Sequence, residues 1–197
     1  MNARQILFRV PLTTFVGFLL CLSFASTANA QSNDAQKSKI KNFGQMDDRF
    51  YRGAQPDEDD YLGLAAIGIK TIFDLRDDPK DYARRAAEAA GMRYVNIAMS
   101  DTDRPGDETV EEFLKLVNDP STGKFYVHCK GGRHRTGLIG AVYRLNFYNW
   151  DFKQAYKEMK QYDFYTRWGH GDIKEYVQDY FDRMQTRAVE ASTGVSK

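Results

Sequence analysis

Apolar positions come in short compact runs separated by stretches with helical spacing. Lys70–Leu75 (Lys-Thr-Ile-Phe-Asp-Leu), Met92–Met99 and Lys124–His128 have strand length and strand composition. Arg49–Pro56 holds an earlier strand that ends in a turn. Between these runs, Asp57–Ala66, Tyr82–Ala90 and Glu108–Asn118 are predicted helices. Gly68 and Gly91 close the first two, and Asp57 and Asp107 stand where N-caps belong. Pro120–Gly123 is a turn. After the last strand, Thr136–Phe147, Asp151–Met159 and Asp172–Met184 carry helical periodicity. Strands alternating with helices predict an α/β domain over residues 43–185. Gln31–Asn42 is polar and reads as a flexible linker, and Thr186–Lys197 as a disordered tail.

The first thirty residues break this pattern. Arg4 and Arg9 precede an uncharged stretch from Val10 to Ala30, apolar at Phe15–Phe24, with Ala28-Asn29-Ala30 as a small-x-small cleavage site. This is the layout of a secretory signal peptide cut after Ala30. An uncleaved anchor is the rival. Pro11, Thr13, Thr14 and Ser23 and the shortness of the apolar core weigh against it. The expected location is outside the cytoplasm, in a bacterial periplasm or fully secreted, without stable membrane insertion once the signal is removed.

Composition is that of an ordinary globular protein, 42% hydrophobic and 28% charged over 197 residues. Net charge is +1, and becomes −1 once the signal and its two arginines are gone, so nucleic acid is not an expected partner. Of the two cysteines, Cys21 lies inside the signal and only Cys129 remains. No intramolecular disulfide can then form, and a lone exported cysteine is a candidate reactive thiol.

The surroundings of Cys129 agree. Phe125-Tyr126-Val127-His128 delivers it into the turn Lys130-Gly131-Gly132-Arg133-His134, and Arg135-Thr136-Gly137 opens a helix. Amide N–H groups at a helix N-terminus and in such a turn bind anions. Gly131 and Gly132 permit backbone conformations closed to other residues and a close approach to a ligand. Arg135 can grip two phosphate oxygens bidentately, in a geometry lysine does not reproduce. The same field lowers a thiol pKa from about 8.5 towards about 3.5–7.5. Thr136 is placed to hydrogen-bond the sulfur. Residue types and order together describe a phosphate dianion held above a nucleophile.

The string His-Cys-x-x-Gly-x-x-Arg-Thr-Gly, between a strand and a helix, resembles the signature of cysteine-dependent protein tyrosine phosphatases in their dual-specificity branch. Arg49–Pro56 and Asp74-Leu75-Arg76 resemble further segments of that superfamily. The resemblance implies one domain with a central mixed sheet of four or five strands flanked by helices. It also implies hydrolysis of phosphomonoesters through a phosphocysteine, with no metal or organic cofactor. Cys129 would be the nucleophile, Arg135 and Thr136 its catalytic partners, and Lys130, Gly131, Gly132, Arg133 and His134 the substrate cradle. His128 would orient carbonyls behind the sulfur.

The family keeps its general acid in a loop upstream of the cysteine, here Ser100–Glu108. The Asp103-Arg104 pair most resembles the acid position of exported bacterial enzymes, so Asp103 is preferred, with Asp101 as its neighbour and rival. Phosphotyrosine on proteins, with phosphoserine or phosphothreonine besides, is the leading substrate class. Lys130, Arg133 and His134 also resemble loops acting on inositol polyphosphates and pyrophosphates, and an inactive phosphate-binding module is a third reading. The partner is thus a phosphoprotein or a phosphorylated small molecule. Arg76 could buttress the site or form an ordinary salt bridge. Tyr162, Phe164, Tyr165 and Trp168 could wall a groove or fill the core. His170 has no metal-like partner spacing, and three histidines make a metal site a poor prospect.

Overall fold

The computed structural model describes residues 40–194. The expected signal peptide and most of the expected linker lie outside them. In chain order the elements are β1 Gly44–Gln45, β2 Phe50–Ala54, α1 Asp60–Ala66, β3 Thr71–Arg76, α2 Ala83–Ala89, β4 Arg93–Met99, α3 Asp107–Asn118, β5 Phe125–Cys129, α4 His134–Phe147, α5 Phe152–Gln161 and α6 Gly171–Thr193. The sheet runs β1-β2-β5-β3-β4, with β1 antiparallel to β2 and the other pairs parallel. It is therefore mixed and five-stranded, as the resemblance implied.

Helices cover both faces, which is why β3 and β5 are buried along their whole length. Successive side chains point to opposite faces. Phe125, Val127 and Cys129 enter the larger core with Phe50, Phe73, Val110, Phe113 and the apolar side chains of α4 from Leu138 to Leu145. Tyr126 turns to the smaller core with Tyr51, Ile72 and Tyr94 beneath α1 and α2. Four phenylalanines, at 50, 73, 113 and 125, pack with ring centroids 4.9–6.4 Å apart.

Several boundaries differ from the sequence reading. Ile40 is buried and Asn42 bonds the 130–135 turn, so the folded unit includes residues that composition had given to the linker. Asp57 does not cap α1. Its amide donates to Asp60 Oδ2 instead, and the helix starts at Asp60. Asp107 is the first residue of α3 rather than its cap. Its carboxylate accepts from Tyr176 and Arg183 and so ties α3 to α6. The expected tail is helical through Thr193. Residues 186–193 contain no glycine or proline, and the helix stops at Gly194 in the left-handed conformation. No helix among the described residues is long and apolar enough to cross a membrane.

Candidate active site

β5 is the central strand, between β2 and β3, and Cys129 is its last residue, paired with Ala54 of β2. The chain then turns and enters α4 at His134. Ligands of open α/β sheets bind at this carboxyl edge, outside the strand ends. Arg133, at the N-cap of α4, makes no side-chain capping bond, so no side chain there competes with an anion for the first amides.

The carbonyls of the turn are held from outside. Gln55 N donates to Lys130 O at 3.4 Å, Asn42 Nδ2 to Gly131 O at 2.8 Å and Arg52 Nη2 to Gly132 O at 2.7 Å. Three consecutive carbonyls engaged in this way leave the turn's amides for the inner side. Only one of the two turn glycines needs its conformational freedom. Gly132 has φ +66, and a Cβ there would collide with Gly53 C and lie 2.6 Å from Ala54 N. Gly131 has no positive φ, and a Cβ would meet nothing nearer than the Arg133 side chain at 3.7 Å. The expectation that both glycines adopt closed conformations is corrected for Gly131.

Cys129 is 3% exposed and lies in a cavity of about 250 Å³ with Asp101, Lys130, Gly131, Arg133, His134, Tyr165 and His170. Burial pushes its thiol pKa up, but the hydroxyl and amide of Thr136, the Arg135 charge and the Arg133 amide outweigh it, and the net shift is downward. The Thr136 hydroxyl is buried and has no other partner. Arg135 is 2% exposed. Its Nη1 donates to Asp77 Oδ1 and to Met99 O, both at 2.9 Å, and its Nη2 lies 3.3 Å from Asp101 Oδ1.

The two candidate acids part company here. Asp101 lines the cavity and reaches the Arg135 fork. Its carbonyl lies 3.1 Å from His170 Nδ1, which pins the loop at that residue. Asp103 does not line the cavity. It is exposed, its amide donates to Ser100 Oγ, and its carboxylate accepts from Thr102. Arg104 turns away onto Asp179 at 2.8 Å.

One of the two loop histidines behaves differently from the sequence reading. His134 is not a solvent-facing cation. It stacks on His170 with centroids 3.5 Å apart, and Phe164 and Tyr165 meet it edge-on. Burial, with His170 beside it, pushes its pKa down to about 4, so it is neutral at physiological pH. The His128 ring is fully buried, Asp74 Oδ1 lies 3.8 Å from Nδ1, and the Cys129 backbone also favours the protonated ring. Burial pushes its pKa to about 4 against the pull of Asp74.

These shifts carry a stability prediction. The unfolded chain takes up protons at His128 below pH about 6.5, whereas the folded chain resists until pH about 4. Folding stability therefore falls through that window, by on the order of 3 kcal/mol from His128, with His134 acting in the same direction. Urea unfolding at pH 7 and pH 4 checks this, and equal stabilities would refute it.

Arg76 bridges to Asp78 and also donates to Gln55 Oε1, whose backbone amide holds the Lys130 carbonyl. The aromatic cluster splits. Phe164 is core, Tyr165 lines the cavity, Trp168 is 75% exposed, and Tyr162 lies against Arg52. Asn42 and Arg52 escaped the sequence reading. Their only signal is that Arg52 belongs to the Arg49–Pro56 segment.

With this geometry in view, comparison with known proteins decides the family. The family model described as "DSP-PTPase phosphatase fused to NAD+ Kinase" matches residues 23–170. The chain belongs to the cysteine-dependent dual-specificity phosphatases. It is 29% identical over 139 residues to the dual specificity protein phosphatase TpbA of Pseudomonas aeruginosa, 70% of this chain and 62% of that one. It therefore spans about three fifths of that relative's length. A crystal structure of TpbA aligns with TM-score 0.59 at 27% identity, covering 72% of this chain and 86% of that one. Another, in complex with pTyr, aligns at 0.57 over 70% and 83%. An inositol diphosphatase of Arabidopsis thaliana, DSP4, is 26% identical over 61% of this chain and 63% of its own. The protein is a phosphatase acting on phosphorylated substrates.

Proposed function

We propose that this phosphatase hydrolyses phosphotyrosine on proteins, and phosphoserine or phosphothreonine less well. The observation that carries the reading is the depth of the sulfur. Cys129 is 3% exposed within a cavity walled on one side by Tyr165. An aryl ring can carry a phosphate into this cavity while packing against its aromatic wall. The TpbA structure in complex with pTyr supports the same class.

The geometry supports a two-step reaction. The Cys129 thiolate attacks phosphorus, and the P–O bond to the leaving group breaks. Asp101, in the cavity, protonates the departing oxygen. The inward amides and Arg135 hold the equatorial oxygens. Asp101, now a carboxylate, takes a proton from water, whose oxygen attacks the phosphocysteine. Phosphate leaves and the thiolate returns, assisted by the Thr136 hydroxyl.

An inositol polyphosphate is the second reading. Lys130 and Arg133 line the cavity, and Arg133 lies 3.8 Å from Asp163 and over the Tyr165 ring. A neutral His134 removes one of the three charges that first pointed there. The test is phosphate release by the full chain, with chelator, from phosphotyrosine peptide, phosphoserine peptide and inositol hexakisphosphate. The highest kcat/KM is expected on the phosphotyrosine peptide. Turnover of the inositol phosphate alone would transfer the assignment.

A further inference from the structure

The reaction above uses the guanidinium of Arg135. A second guanidinium lies beneath the same turn, on the side away from the cavity. Arg52 of β2 is fully buried, two residues before the partner of Cys129. Its Nη2 donates to Gly132 O, and its charge sits 3.9 Å from the centre of the Tyr162 ring. Nε and Nη1 are buried and have no partner. α4 leaves space for it, because a Cβ on Gly140 would come within 3.4 Å of Nη1.

The charged and titratable groups around Arg52 are Tyr162, Cys129, Glu158 and Tyr126. Glu158, the carboxylate among them, is taken by Arg144, which donates to both its oxygens at 2.8–3.2 Å. Arg52 thus has no ion-pair partner among the described residues. An unpaired buried cation is costly, and a fold ordinarily avoids it or supplies a carboxylate. Burial pulls the Arg52 pKa down only to about 10, so the charge persists at neutral pH. Among the others, Cys129 is the group whose pKa is shifted downward, and after attack its sulfur carries the phosphoryl group.

We infer that Arg52 is a positioning residue, a fixed cation that holds the Gly132 carbonyl outward and stabilises the Cys129 thiolate and its phosphoryl adduct from beneath the turn. Arg135 is the guanidinium assigned to the ligand in the proposed reaction, and Arg52 acts on the sulfur through the backbone. Arg52 touches no substrate. The inference rests on Cys129 being the nucleophile.

The test reads the thiol itself. In a full-length chain carrying Cys21→Ser, Cys129 is the single cysteine. Its pKa is measured from thiolate ultraviolet absorbance and from the pH dependence of alkylation, in the parent, Arg52→Met and Arg52→Lys. Arg52→Met is expected to raise the thiol pKa by about one unit, a tenfold smaller thiolate fraction below it. Its kcat/KM should fall about tenfold in the same pH range. Its melting temperature should not drop, because an unpaired buried charge has been removed. Arg52→Lys keeps the charge and is expected to recover most of the shift. An unchanged thiol pKa in Arg52→Met, failure of that variant to fold, or a lysine variant no better than methionine would each overturn the inference. Persistent turnover in Cys129→Ser would instead remove the proposed function, whatever the thiol titration showed.

Discussion

Cys129→Ser is expected to fold as the parent does and to release phosphate at least about a thousandfold more slowly, the scale seen when a covalent nucleophile is lost. The hydroxyl is nearly isosteric with the thiol. The larger core around residue 129 keeps its packing. The turn also survives, because Gln55, Asn42 and Arg52 hold it and none of them bonds the sulfur. What goes is the nucleophile. The influences that lower the thiol pKa, from Thr136, Arg135 and the Arg133 amide, cannot bring a serine hydroxyl into its anionic form near neutral pH. Binding should persist, since Arg135 and the inward amides are untouched. The measurement pairs turnover with phosphate-analogue affinity. Turnover within about tenfold of the parent would reject a phosphocysteine route.

Asp101→Asn is expected to lower kcat by about a hundredfold to a thousandfold, whereas Asp103→Asn should stay within about twofold. The contrast follows from placement, since Asp101 is in the cavity and Asp103 is spent on the outward Thr102 turn. The leaving group supplies a sharper check. A phenolate with an electron-withdrawing substituent departs with little help, so the Asp101→Asn deficit should shrink on nitrophenyl phosphate and widen on an alkyl phosphate. The same deficit on both substrates would mean that Asp101 serves only to hold the Arg135 fork. A large effect at Asp103 and none at Asp101 would reverse the assignment.

The nucleophile loop was legible because it is contiguous. Strand, turn and helix N-terminus follow one another within Phe125–Gly137, and local backbone geometry alone brings Cys129, Arg135 and Thr136 to one anion. The parallel strands were legible for a related reason. Strands covered on both faces carry apolar runs, here Ile72-Phe73 in β3 and Phe125-Tyr126-Val127 in β5, that need no partner to look like strands. Two-residue β1 is too short to leave such a mark.

Other parts of the site depended on distant chain segments meeting. Asp101 and Asp103 have the same chemistry two positions apart on an irregular loop, where no periodicity says which faces inward. The choice is made where His170 meets the Asp101 carbonyl, 69 residues later in the chain. His134 read as a substrate-facing charge until His170, Phe164 and Tyr165 enclosed it. Asn42 read as linker, and Arg52 passed without remark inside the Arg49–Pro56 segment. Both became visible only where they meet the turn carbonyls 89 and 80 residues away.

The residue sequence by itself determined the alternation of strands and helices, the cysteine that ends the last strand, and the glycine-containing turn that follows it, all of which arise from neighbours along the chain. The tertiary structure alone decided which carboxylate shares the cavity with the sulfur, which glycine is indispensable, and which arginine lies buried beneath the loop. Side-chain burial and long-range hydrogen bonds exist only after packing, and a linear string carries no distance between residues far apart along it.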